Sequence, residues 1–155
     1  MTGDRQVLTA DALRATPEGT LRIDDAEVLA VDGADEGTGT GFDALDPSAF
    51  AEIVLRSPRT WLAVTAWYEE RLTELGWSLG SQADAGPQLY AYRQFLRGSR
   101  EEYWVRQLYP DARSHAPTGA FERPGTVLST LYKVRPGPPD VAASRPLGAG
   151  VPDDG

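Results

Sequence analysis

The chain has 155 residues, 41% of them apolar, with 4 Trp, 6 Tyr and 4 Phe; that suffices for one buried core and is too apolar for a disordered chain. No Cys and a single His exclude disulfides, Cys nucleophiles, thiolate metal sites and His-rich ones. The net charge of -8 comes from residues 1–50, where 11 acids face 3 Arg, so phosphate backbones are repelled and nucleic acid is a poor partner for the whole molecule.

Residues 1–10 hold no apolar run of signal-peptide length, and no segment reaches the roughly 20 apolar residues of a membrane span, so a cytoplasmic location is the expectation unless a leader has been removed. Thr9 or Asp11 caps a helical turn that Pro17-Glu18-Gly19 ends. Residues 19–31 contain two short strand-like runs around Asp24-Asp25, which suits a hairpin turn. Residues 32–46 read as a Gly and Asp loop, and residues 52–56 as a strand.

The strongest periodic signal follows. Ser57 and Pro58 have the chemistry of a helix start, a side-chain acceptor followed by a residue with no amide hydrogen to satisfy. Trp61, Val64, Thr65, Tyr68, Leu72 and Leu75 then form one helical stripe, while Glu69, Glu70, Arg71 and Glu74 lie opposite. Gly76 supplies a left-handed stop, which predicts a helix over residues 58–76. Burial of the large stripe residues contributes roughly 1.5 to 3 kcal/mol each, so the stripe requires a sheet to face.

Trp77 to Leu79 reads as a short strand, and residues 88–109 as a hairpin turning at Gly98-Ser99, since a type II′ turn wants Gly first. That register sets Arg97 against Arg100, Tyr92 against Val105 and Arg93 against Trp104. It places Tyr90, Tyr92, Leu96, Tyr103 and Val105 on one face, and Arg93, Phe95, Glu102, Trp104 and Arg106 on the other. Residues 111–124 read as a loop and residues 126–134 as a β-rich last strand. Residues 135–155 lack any pattern for burial and are expected to be a disordered Pro/Gly-rich tail. The fold class is therefore α+β: a single amphipathic helix on an antiparallel sheet of about four to six strands, with residues 1–134 as one domain.

The run from Trp67 through Tyr68, Leu72 and Leu75 to Gly76-Trp77, then a hairpin with Arg100-Glu101-Glu102-Tyr103 and a closing Tyr132-Lys133-Val134, resembles a pattern in small actinobacterial proteins of uncharacterised function. The resemblance covers roughly residues 50–134 and implies a helix before an antiparallel sheet, with no activity to carry over. Many proteins of that pattern look like lipoproteins or exported proteins; this chain has no lipobox Cys.

Among candidate sites, the acids of Asp32-Gly33-Ala34-Asp35-Glu36-Gly37 could offer oxygen ligands to calcium, but the EF-hand spacing is absent and the loop reads as a solvated one. Gly37-Thr38-Gly39-Thr40-Gly41 is Gly-rich without the Lys of a phosphate loop. His115, in Arg113-Ser114-His115-Ala116-Pro117, has no nucleophile elbow around it. The acid pairs Asp24-Asp25, Glu69-Glu70 and Glu101-Glu102 invite a glycosidase reading, but general acid work needs one carboxyl with its pKa raised by burial, neighbours on a strand point to opposite faces, and Glu69-Glu70 lie on the polar face of the helix as solvated charges.

The set Arg93, Phe95, Glu102, Trp104 and Arg106 carries the functional expectation, since Arg beside aromatic rings binds carboxylates, phosphates and stacked planes. The same set equally forms cross-strand structural contacts. The expected function is a noncatalytic binding or protein-interaction domain, using this face or the acidic N-terminal region to meet a protein or a small anionic ligand, with no cofactor or metal. The alternative is a small acid-base enzyme, an isomerase or hydrolase, using Asp or Glu with Arg. A deep pocket with a buried carboxylate favours the enzyme, and a flat Arg and aromatic face favours the binder.

Overall fold

The computed structural model describes residues 7–37, 48–84, 91–110 and 116–136. Two short helices, α1 (Ala10–Arg14) and α2 (Pro17–Thr20), precede strands β1 (Glu27–Ala34) and β2 (Ala49–Ser57). The long helix α3 (Trp61–Glu74) follows, then β3 (Ser78–Ala83), β4 (Tyr92–Arg97), β5 (Glu101–Gln107) and β6 (Thr126–Val134). The strands form one six-stranded antiparallel sheet in the order β1-β2-β6-β5-β4-β3, so the fold is α+β as expected, with two small helices beside the main one. Among the described residues no helix is long and apolar enough to cross a membrane.

Helix α3 buries Val64, Thr65, Tyr68 and Leu72 of its predicted stripe, and Trp61 and Leu75 pack at its ends. Its polar face remains exposed at Glu69, Glu70 and Glu74. Gly76 has φ +93°; its amide donates to Thr73 O at 3.0 Å, and the Trp77 amide donates to Leu72 O at 2.9 Å. That reciprocal pair satisfies the last turn's carbonyls. The start differs from the expectation: Thr60, not Ser57, caps the helix, its Oγ1 accepting from the Ala63 amide at 3.3 Å. Ser57 is the last residue of β2, paired with Thr126, and a residue held in a sheet ladder cannot also open a helix.

The N-terminal third differs more. Thr9 does cap α1, accepting from the Ala12 amide at 3.0 Å. Pro17, however, starts α2 in place of ending the helical region, because Thr16 accepts from the Gly19 amide and Pro needs no donor at the first position. Residues 21–23 form no strand, and the turn at Asp24-Asp25, with Asp25 at φ +70°, leads directly into β1. Asp32 to Ala34, expected in the loop, belong to β1. Residues 38–47, Tyr90, His115 and the expected tail beyond residue 136 lie outside the described residues.

One face of the sheet meets α1, the loop through Ile23 and α3. Leu13, Ile23, Val64, Tyr68, Leu72 and Trp77 pack there against Ala51, Leu55, Phe95, Tyr103, Val105, Leu128 and Tyr132. Tyr68 joins two elements, its buried hydroxyl accepting from the Ile23 amide at 3.1 Å. The opposite face carries smaller clusters: Val54, Leu108 and Val127 under Ala120, and Phe50 with Ala34 and Leu131.

Candidate functional site

The hairpin between β4 and β5 turns on three residues, Gly98, Ser99 and Arg100, with Gly98 at φ +66°, so Arg97 pairs with Glu101. The expected two-residue turn is thus one residue too short. The correction shifts the partners: Tyr92 meets Arg106, Arg93 meets Val105, Gln94 meets Trp104 and Phe95 meets Tyr103. A slip of one residue inverts every side chain of one strand relative to the other. Phe95 and Tyr103 therefore both enter the core, and Tyr92 and Leu96 leave it.

The five residues singled out from the sequence are consequently divided between two faces. Phe95 is buried under α3. Arg93 is also on that side, held by Asp84 at 2.7 Å and by the Tyr92 carbonyl at 3.0 Å, with its guanidinium 5.8 Å from the Trp61 ring centre. Trp61 Nε1 donates to the same Asp84 carboxylate at 3.2 Å, so Arg93 fastens the start of α3 to the end of β3. Those hydrogen bonds, Arg93's first, hold the Asp84 carboxyl below its ordinary range.

Glu102, Trp104 and Arg106 stay together on the opposite face. Trp104 Nε1 donates to Glu102 Oε1 at 3.0 Å, Gln94 Nε2 reaches the same oxygen at 3.4 Å, and the Tyr92 and Trp104 rings lie 5.6 Å apart. Arg106 donates to Glu52 Oε2 at 3.4 Å, and Ser129 Oγ donates to that oxygen at 2.5 Å. Burial lowers the Arg106 pKa, and the Glu52 charge opposes that shift. These charges are compensated within the sheet. Of the loop acids weighed for calcium, Asp35 accepts from the Ala10 amide at 2.9 Å and Glu36 from the Leu8 amide at 3.0 Å, which ties β1 to the start of α1. Among the described residues no three His, Cys, Asp or Glu side chains group to hold a metal.

A concave site lies elsewhere, where α1 meets the sheet beside the β4–β5 turn. Its cavity of about 540 Å³ has apolar walls from Leu8, Ala12, Leu13 and Val134, and polar groups from Arg97, Arg100, Glu101 and Tyr132. Arg97 holds Glu101 through two parallel hydrogen bonds of 2.9 Å, and donates to Glu18 Oε2 and to the Leu75 carbonyl at 2.8 Å each. Glu18, only 4% exposed, also accepts from Trp77 Nε1 at 3.1 Å, and the Arg97 guanidinium stacks 4.7 Å from the Trp77 ring centre. Tyr132 Oη donates to Glu101 Oε2.

Two effects set the proton affinities of this network. Hydrogen bonding, above all from Arg97, pulls the Glu101 carboxyl below the ordinary range, while burial and the hydrogen bond to Glu101 push the Tyr132 phenol up. At neutral pH Glu101 is thus an anion and Tyr132 a neutral donor. The sequence offers one faint sign of this site, an Arg and a Glu four positions apart across a Gly turn. Glu18 had no sign at all, being an acid in the first turn of a short helix whose partner is 79 positions away. No protein-family model, no curated protein and no solved structure matches the chain.

Proposed function

We propose that the protein is a noncatalytic binding domain that takes a small, uncharged amphiphile into the cavity between α1 and the β4–β5 turn. The observation that carries this reading is the charge balance of the cavity floor. Arg97 pairs with Glu101 on the lining and with Glu18 buried behind it, and Arg100 supplies the second positive charge at the rim. A charged ligand would have to displace an existing pair, whereas a hydroxyl or amide can share the Glu101 and Arg97 hydrogen-bonding capacity at the mouth. The apolar walls accept the body of such a molecule, and the volume falls within the usual range of ligand pockets.

The acid-base enzyme is less well supported. General acid or base work needs a group whose pKa lies near the operating pH. Here the Glu101 carboxyl moves down and the Tyr132 phenol moves up, both away from neutrality.

A titration of the full chain with 1-hexanol, followed through backbone amide resonances, tests the proposal. Saturable shifts are expected at Leu8, Ala12, Leu13 and Val134. Ala12→Trp, which fills the cavity from an exposed position of α1, should remove them. Shifts that fail to saturate, or that survive Ala12→Trp, would sink the reading.

A further inference from the structure

A second cavity, of about 350 Å³, lies on the other side of the α1–α2 segment, and its chemistry differs from the first. Its apolar floor is Val31, Ala51 and Ile53 from the paired strands β1 and β2, on the face that meets the helices. The register shift between Val28 and Ala30 sets Val31 directly across from Ile53, and Val31 remains 57% exposed although it belongs to this apolar floor. Arg14 and Arg22 complete the lining.

Among the described residues neither has a buried acid to neutralise it. Arg14 Nη1 pairs at 3.0 Å with Asp11, whose side chain is 93% exposed, and its Nε is buried with no acceptor among the described residues. The group is seated over Gly33, where a Cβ would come within 2.7 Å of Arg14 Nη2, so the glycine leaves room for the guanidinium against the strand. Arg22 makes no hydrogen bond and no ion pair among the described residues. The acid that lines the cavity, Glu52, directs its carboxylate to the opposite face of the sheet, where Ser129 and Arg106 hold it. The neighbouring Asp25 is engaged with Arg59 at 3.4 Å.

A forked guanidinium matches a carboxylate through two parallel hydrogen bonds. An apolar floor beside two such groups selects a ligand with one anionic end and a hydrocarbon body. We propose that this cavity is a binding site for a small apolar monocarboxylate, its carboxylate held by Arg14 and Arg22 and its chain laid on Val31 and Ile53. The site is independent of the uncharged-amphiphile cavity, from which the α1–α2 segment separates it.

Octanoate is the probe, with 1-octanol as its uncharged counterpart, and the amide resonances of Thr20, Val31 and Ile53 in the full chain are the readout. Octanoate should saturate these shifts, and 1-octanol should bind about tenfold or more weakly, the loss expected when a charged hydrogen-bonded end is removed. Arg22→Gln should weaken octanoate by a similar factor while leaving unfolding by urea nearly unchanged, because Arg22 is exposed and makes no hydrogen bond or ion pair among the described residues. Equal affinity for the two probes, the absence of saturation, or full octanoate binding by Arg22→Gln overturns the proposal. Ala12→Trp serves as the control for location: octanoate binding should survive it, and its loss there would move the ligand into the other cavity and overturn this site.

Discussion

Glu101 and Glu102 are chain neighbours with different fates. Glu101 points to the helix face, where Arg97 and Tyr132 bind it, and Glu102 points to the other, where Trp104 and Gln94 do. The alternation of a strand alone separates them, which is why the expectation that adjacent acids cannot act as a pair was readable from the sequence. What each acid touches was not readable, because every partner depends on the register. The depressed pKa of Glu101 also carries a pH dependence. A carboxyl with a lower pKa folded than unfolded contributes stability above its unfolded value, near 4.5, and loses that contribution as pH falls through its folded value. Glu101→Gln removes a titrating group from the fold. Its urea midpoint should therefore start lower at pH 7 and decline less steeply than that of the natural chain below pH 4.5; parallel declines would show that Glu101 contributes nothing to acid unfolding.

At the scale of elements, helix α3 was legible and the β4–β5 hairpin only half so. The α3 stripe and Gly76 act locally, over three or four residues, so a sequence displays them fully. The N-cap was misplaced by three residues because Ser57 serves two patterns, and the pairing of β2 with β6 decides which one wins. In the hairpin both strands were recognisable, yet turns of two and three residues are both compatible with a Gly at position 98. The choice went to the register that buries Phe95 opposite Tyr103 and joins Arg97 to Glu101. A direct comparison checks it. Phe95, 1% exposed, should cost about 3–5 kcal/mol when replaced by Ala, whereas Leu96, 39% exposed, should cost within about 1 kcal/mol. Urea unfolding of the two variants gives the answer, and the opposite ranking would restore the two-residue turn.

In the whole molecule, the order of the strands differs from their order in the chain. β6 inserts between β2 and β5, so that Ala49 pairs with Val134, and β2 and β5 are joined only through this last strand. β2 and β6 are buried along nearly their whole lengths, and β3 at the edge is mostly exposed. Hydrogen exchange should follow that gradient: amides of β2 and β6 exchange only through global opening, and those of β3 through local fraying. Comparable protection on β3 and β6 would contradict it. The same assembly explains which sites escaped the sequence. Arg93 and Phe95 left the expected binding face when the register moved, and the two cavities arose where α1 and α2, the least distinct elements of the chain, met the finished sheet. The sequence by itself determined the helix, most of the strands, the α+β class and the lack of thiol chemistry, because these depend on composition and on periodicities spanning a few residues. Only the tertiary structure decided the strand order, the burial of Glu18 against Arg97 and the separation of two differently charged cavities, because each rests on contacts between residues tens of positions apart, and it decided the hairpin register too, because the choice between two turns of nearly equal length falls to which side chains the rest of the sheet and α3 bury.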